Sequence, residues 1–124
     1  CNDKIEAITG VRPTLVRLPY GDYDDNAVRA VRSIGMEPIQ WDVDSLDWKE
    51  IPAEEIVQRV TGKVQPGSIV LFHNAALHTP EALPSILETL IQEGYTFVPI
   101  SQLILDGEYN TDYTIDHTGR QCPA

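Results

Sequence analysis

Short apolar runs alternate with amphipathic stretches along the chain, and this alternation predicts its elements. Asn2 to Ile8 reads as the end of a helix, closed by Gly10 as a left-handed cap. Thr14 to Pro19 (TLVRLP) is a short β-rich run. In the turn GDYDDN an aspartate can cap a helix over AVRAVRSIG, with Val28, Val31 and Ile34 on one face and Gly35 at its end. EPIQWDV, Glu37 to Val43, is the next strand. Pro52 then stands ahead of Glu54 and Glu55, an acidic first turn suited to a helix N-terminus, and that helix runs to about Val64 before QPG breaks it. SIVLFH, Ser68 to His73, is almost continuously apolar, the pattern of a strand buried on both faces. Thr79 and Pro80 open a long helix that stops at Gly94, YTFVPI is the last strand, and SQLIL is a short closing helix. Asp106 to Ala124 is polar and tyrosine-rich, a surface tail rather than a further element.

Strand and helix in turn is the βαβ order of a parallel sheet, so the expected fold class is α/β with parallel strands. Four such units are too few for an eight-stranded barrel and match about half of one. In parallel α/β folds the chemistry gathers on loops at the carboxyl ends of strands. Here those loops read RLPYGDY, DVDSLDW and HNAALH, while the fourth strand ends in an uninformative PIS.

Composition narrows the function classes. The 124 residues, 42% hydrophobic, are enough for about one ordinary domain. No apolar run approaches the roughly 20 residues of a membrane span. Nineteen acidic residues against nine basic ones give a net charge of −10, which argues against a nucleic-acid partner because phosphate binding needs a basic patch. There is no basic-apolar signal segment, and a start at Cys1 rather than Met fits a piece of a longer product. Cys1 and Cys122 lie at opposite ends of the chain and form no metal-binding spacing, and a bridge between them is open in an oxidising compartment.

Each strand-end loop carries one candidate group with a bland alternative. Arg17, a permanent cation in an apolar run, can orient a carboxylate through charge-assisted hydrogen bonds or form a structural ion pair. The turn at Tyr20-Gly21 can aim backbone N–H groups at an oxyanion, although Pro-Tyr-Gly also suits ordinary turns. Asp42, Asp44 and Asp47 share ten residues with Trp41 and Trp48. One of these carboxylates can hold an imidazole in the needed tautomer, and Trp48 can form a sugar platform; loop capping and core filling are the alternatives. Strand alternation puts Trp41 and Val43 on one face and Asp42 and Asp44 on the other. His73, directly after the apolar strand, suits a general acid, or else a histidine satisfied by a backbone carbonyl. His78, five residues on in a loop, reads as solvated, and His117 sits in the tail.

In their order and spacing, RLPYG, DVDSLDW and LFHN resemble the third, fourth and fifth motifs of the polysaccharide deacetylases of carbohydrate esterase family 4, the NodB-homology domain. HTPEALPSILETLIQEGYTFVPISQLI resembles the closing segment of its sporulation and peptidoglycan branch. The similarity covers roughly Ile5 to Leu105, which makes 1–105 the carboxyl-terminal part of a distorted (β/α) barrel and 106–124 a polar tail. Leu18 stands where the family often has proline. The paired Asp-Asp of the first motif and the His-x-x-x-His of the second have no counterpart, since His73 and His78 are five apart.

The resemblance implies metal-assisted hydrolysis of N-acetyl groups on a GlcNAc- or MurNAc-containing polysaccharide, peptidoglycan or chitin-like. In that reading Arg17 steadies a catalytic aspartate of the other half, and the N–H of Tyr20 joins the oxyanion site. Asp47 tunes His73, which protonates the departing amine. Trp48 and Leu71 wall the sugar and its acetyl methyl. A divalent ion, zinc above others, is expected on ligands of the amino-terminal half, a cleaved chain or missing segment, without which these residues are inactive. A wall polymer places the protein outside a bacterial cell, at the wall or membrane. Two other readings stay open: a non-catalytic carbohydrate-binding module on the same fold, and a flavodoxin-like α/β binding domain.

Overall fold

A computed structural model describes residues 1–104, 112–115 and 121–123. The chain divides into two compact units, Cys1–Gln40 and Trp41–Ala124.

The first unit opens with helix α1, Asn2–Thr9, closed by Gly10 at φ 76°, a left-handed position that glycine adopts without a Cβ clash. Strand β1, Leu15–Val16, leads into a 3-10 turn at Pro19–Gly21 and then helix α2, Asp25–Ser33. Asp24 caps α2, its Oδ1 accepting the Ala27 N–H at 2.7 Å. Strand β2, Glu37–Pro38, returns parallel to β1 with Leu15 opposite Glu37. Neither α1 nor α2 buries a residue, and Met36 is the sole buried hydrophobic in residues 1–40. Val28 and Val31 are half-buried as the helical face requires, but Ile34 is exposed, because α2 ends at Ser33 and Ile34 is its cap.

The second unit has the core. Strand β3, Val43–Asp44, helix α3, Ala53–Thr61, and strand β4, Val70–Leu71, form a parallel βαβ turn, with Asp44 opposite Leu71. Helix α4 covers Thr79–Gln92 and helix α5 Ile100–Leu103. Ile56 and Val60 of α3 pack with Ala82, Ile86 and Leu90 of α4 over Val43. Their spacing of four stacks each set on one helix face. The Tyr95 hydroxyl, donating to the Val64 carbonyl at 3.2 Å, ties the exit of α4 to the segment after α3.

Several expected elements take another form. EPIQWDV supplies two short strands rather than one: its first end pairs with β1 and its last residue, Val43, begins β3. YTFVPI is not a strand; Phe97 and Val98 are exposed, and among the described residues no neighbouring strand takes up their backbone groups. In SIVLFH only Leu71 is buried, so burial on both faces is absent. The region expected as a tail contains an antiparallel pair, β5 (Tyr113–Ile115) with β6 (Gln121–Pro123), because cross-strand backbone bonds are available even to polar residues. His117 lies outside the described residues. No disulfide joins Cys1 to Cys122. Both parallel pairs join strands that are neighbours in sequence, β1 with β2 and β3 with β4.

Candidate functional site

The three aspartates of DVDSLD have three different employments. Asp42 accepts the Ile69 N–H at 2.6 Å and the Ser68 hydroxyl at 2.7 Å, which fixes the start of β4 beside β3. Asp44 accepts the Leu46 N–H at 2.9 Å, an Asx-type turn, while its carbonyl takes the Arg59 Nε–H at 2.9 Å. Both are structural. Asp47 is the one whose carboxylate leaves the turn to meet a histidine.

The turn itself is under backbone strain. Leu46, at φ 56°, and Glu50, at φ 56°, flank the 3-10 segment Asp47–Lys49 in the left-handed region, which costs a residue with a Cβ about 1 kcal/mol or more. This reversal turns Asp47 inward to 0% exposure and leaves Trp48, the next residue, 54% exposed. The Lys49 ammonium lies 5.2 Å from the Trp48 ring centroid.

Asp47 grips His73 at two points. Its Oδ1 lies 2.7 Å from the ring Nδ1, and its Oδ2 accepts the His73 backbone N–H at 2.9 Å. Oδ2 also accepts the Thr79 hydroxyl at 2.7 Å, and the Asp47 N–H donates to Ser45 Oγ at 3.3 Å. Burial pushes the Asp47 carboxyl up, but the donors outweigh it: the His73 N–H first, then the Thr79 hydroxyl, the His73 ring and the Ser45 hydroxyl, leaving the group below its ordinary value. An ionised Asp47 accepts from Nδ1–H, which fixes the tautomer and leaves Nε2 as the outward nitrogen. The imidazole is 36% exposed, so an ionised, buried anchor carries a ring open to solvent.

The other expected residues are placed as follows. Leu71 is on β4, two residues before His73, and only 7% exposed. His78 is the N-cap residue of α4, its Nδ1 3.8 Å from Glu81. Arg17 and Tyr20 belong to the first unit. Arg17 is exposed just past β1. Tyr20 sits at φ 58° with its side chain fully exposed, so the turn presents its ring to solvent. Among the described residues no group of three or more His, Cys, Asp or Glu side chains is arranged to hold a metal ion. The ion implied by the resemblance therefore finds no ligand set in these residues.

Thr79 and Ser45 escaped the sequence reading as partners of Asp47. Thr79 opens α4 as expected, but the cap is His78, without a side-chain cap bond, and the Thr79 hydroxyl goes to Asp47. A threonine ahead of proline signals a helix start, and nothing local shows that a carboxylate 32 positions away competes for its hydroxyl.

A family model described as polysaccharide deacetylase matches residues 1–39. The chain is 39% identical over 101 residues to the peptidoglycan-N-acetylmuramic acid deacetylase PdaC of Bacillus subtilis, covering 82% of this chain and 21% of that protein. It is 37% identical over 95 residues to the peptidoglycan-N-acetylglucosamine deacetylase PgdA of Listeria monocytogenes, covering 77% and 20%. The chain thus spans about a fifth of the length of these relatives. Among solved structures, that of B. subtilis PdaC is 40% identical with a TM-score of 0.71, over 82% of this chain and 49% of that one. A CE4 family pseudoenzyme from Bacillus anthracis is 35% identical with a TM-score of 0.77, over 82% and 36%. Sequence matches and structural likeness agree with the parallel βαβ architecture. The chain belongs to the polysaccharide deacetylases of carbohydrate esterase family 4 and has the α/β fold of the carboxyl-terminal part of their (β/α) barrel.

Proposed function

We propose that this chain supplies the general-acid part of the site of a peptidoglycan N-deacetylase. The observation that carries this reading is the fully buried Asp47 carboxylate holding a partly exposed His73 by both ring and backbone. In the reaction, water adds to the acetamide carbon, the C–N bond breaks, and the products are acetate and a free amine on the sugar. His73 Nε2 delivers the proton that the departing nitrogen needs, while Asp47 holds Nδ1–H and balances the imidazolium charge. Arg17 steadies a catalytic carboxylate contributed from outside these residues, and the N–H of Tyr20 serves the oxyanion. Trp48 and Leu71 flank the sugar and its acetyl methyl.

A divalent metal, zinc by preference, would be bound by residues outside this chain, in the amino-terminal half of the same domain. That half is the proposed partner, since residues 1–40 bury only Met36 among their hydrophobics and so provide almost no core of their own. The division into a deacetylase part at 1–105 and a tail at 106–124 belongs to the same proposal. The substrate places the protein at a bacterial cell wall, outside the cytoplasm, with sporulation as one setting; no described helix is long and apolar enough to cross a membrane.

The test is deacetylation of peptidoglycan fragments by the full-length protein and its His73→Ala variant. Loss of amine release in the variant, with sugar binding retained, supports the reading. Undiminished turnover overturns it. Sugar binding with no turnover by the unaltered full-length protein points instead to a binding module.

A further inference from the structure

We propose that Thr79 is a positioning residue for the Asp47–His73 pair, an inference that rests on the general-acid reading above. A carboxylate is free to turn about its Cβ–Cγ bond, since that torsion is broad and roughly two-fold. To meet Nδ1 squarely, Asp47 needs one oxygen pinned so that only the other can face the ring. Two donors converge on Oδ2, the His73 N–H at 2.9 Å and the Thr79 hydroxyl at 2.7 Å, and they leave Oδ1 for Nδ1 at 2.7 Å.

The Thr79 hydroxyl is available because it has no capping duty in α4. It also joins the pair to a helix packed in the core of the unit. Thr79 is the first residue of the helix whose Ala82, Ile86 and Leu90 are locked in the core. The N-terminal end of a helix further favours a negative charge. With Asp47 fully buried, water is poorly placed to replace a missing donor, so the hydroxyl sets the carboxylate's plane.

The test compares Thr79→Val and Thr79→Ser with His73→Ala in the full-length protein, acting on N-acetylglucosamine oligomers. The valine, equal in size but without a donor, should lower kcat by about tenfold to a hundredfold. KM should hold and serine should restore the rate. The His73 Nδ1–H resonance should exchange faster with water in the valine variant and at the wild-type rate in the serine one. Wild-type kcat and unaltered proton exchange in Thr79→Val, with His73→Ala inactive, would overturn the role of Thr79 while leaving the general acid in place. An active His73→Ala would remove the reading on which the inference rests. Should the valine variant unfold, Thr79→Cys, a weak donor of similar size, carries the same comparison, with wild-type kcat overturning the proposal and a reduced one supporting it.

Discussion

Asp47 and His73 are joined twice, through Oδ1 to the ring and through Oδ2 to the backbone, across 26 positions of sequence. The backbone bond fixes where the histidine stands, and the ring bond fixes which way it faces. An interaction of this kind contributes to stability and to orientation together, and the two effects can be measured apart.

Asp47→Asn should destabilise the fold by roughly 1–3 kcal/mol, because an amide placed there directs an N–H at the donors that now converge on a buried carboxylate. The same change should slow the proposed deacetylation by the full-length protein by about a hundredfold or more, through loss of the fixed tautomer. Urea unfolding midpoints and kcat on the same preparations check both.

The acid limb of stability should carry the signature of Asp47. Its carboxyl is lower in the folded protein than its unfolded value of about 3.9, since its hydrogen-bond donors outweigh the burial that pushes it up. The ionised form is therefore the one that favours folding. Its contribution is complete above the unfolded value and is lost as pH falls through the lowered folded one. Urea midpoints measured downward from pH 6 should drop more steeply below about pH 4 in wild type than in Asp47→Asn. Parallel curves would contradict this.

Substitutions on the core faces should separate sharply from those elsewhere. Leu90→Ala removes a side chain only 2% exposed and packed against α3, and should cost about 2–5 kcal/mol. Ile34→Ala, at 68% exposure beyond the end of α2, should fall within about 0.5 kcal/mol of wild type. Thermal or urea melts of the two variants test the contrast.

Tyr20→Gly should not weaken the protein despite the loss of an aromatic ring. The ring is fully exposed, and φ 58° is a conformation that glycine adopts without the penalty of about 1 kcal/mol paid by a residue with a Cβ. If the backbone N–H is the working group, as proposed, the full-length variant should also keep its kcat. A large fall in kcat with unchanged stability would assign the work to the phenol instead.

Hydrogen exchange on the 124-residue chain should be uneven. Amides of α3 and α4, backed by Ile56, Val60, Ala82, Ile86 and Leu90, should exchange slowly. Amides of α1 and α2, which bury nothing, should exchange far faster. Equal protection in the two sets would show a partner for the first unit already present in this chain. Stoichiometric tight zinc binding by the same chain would likewise contradict a ligand set located elsewhere.

Much of this was written into the local pattern. Gly10 marked the end of α1, an aspartate before Ala27 marked the start of α2, and Pro52 ahead of Glu54 and Glu55 marked the start of α3, because caps and helix termini depend on neighbours a few positions away. The order of Arg17, Asp47 and His73 on successive strand ends was enough to raise the family. Chemistry and periodicity alone left the three aspartates of DVDSLD equivalent and only the family resemblance named Asp47, since the choice turns on the left-handed reversal at Leu46. Nor could the chain pattern show that YTFVPI forms no strand or that Thr79 bonds across 32 positions. Strand pairing and carboxylate orientation are settled by groups distant in sequence, and only the packed structure brings those groups within hydrogen-bond range.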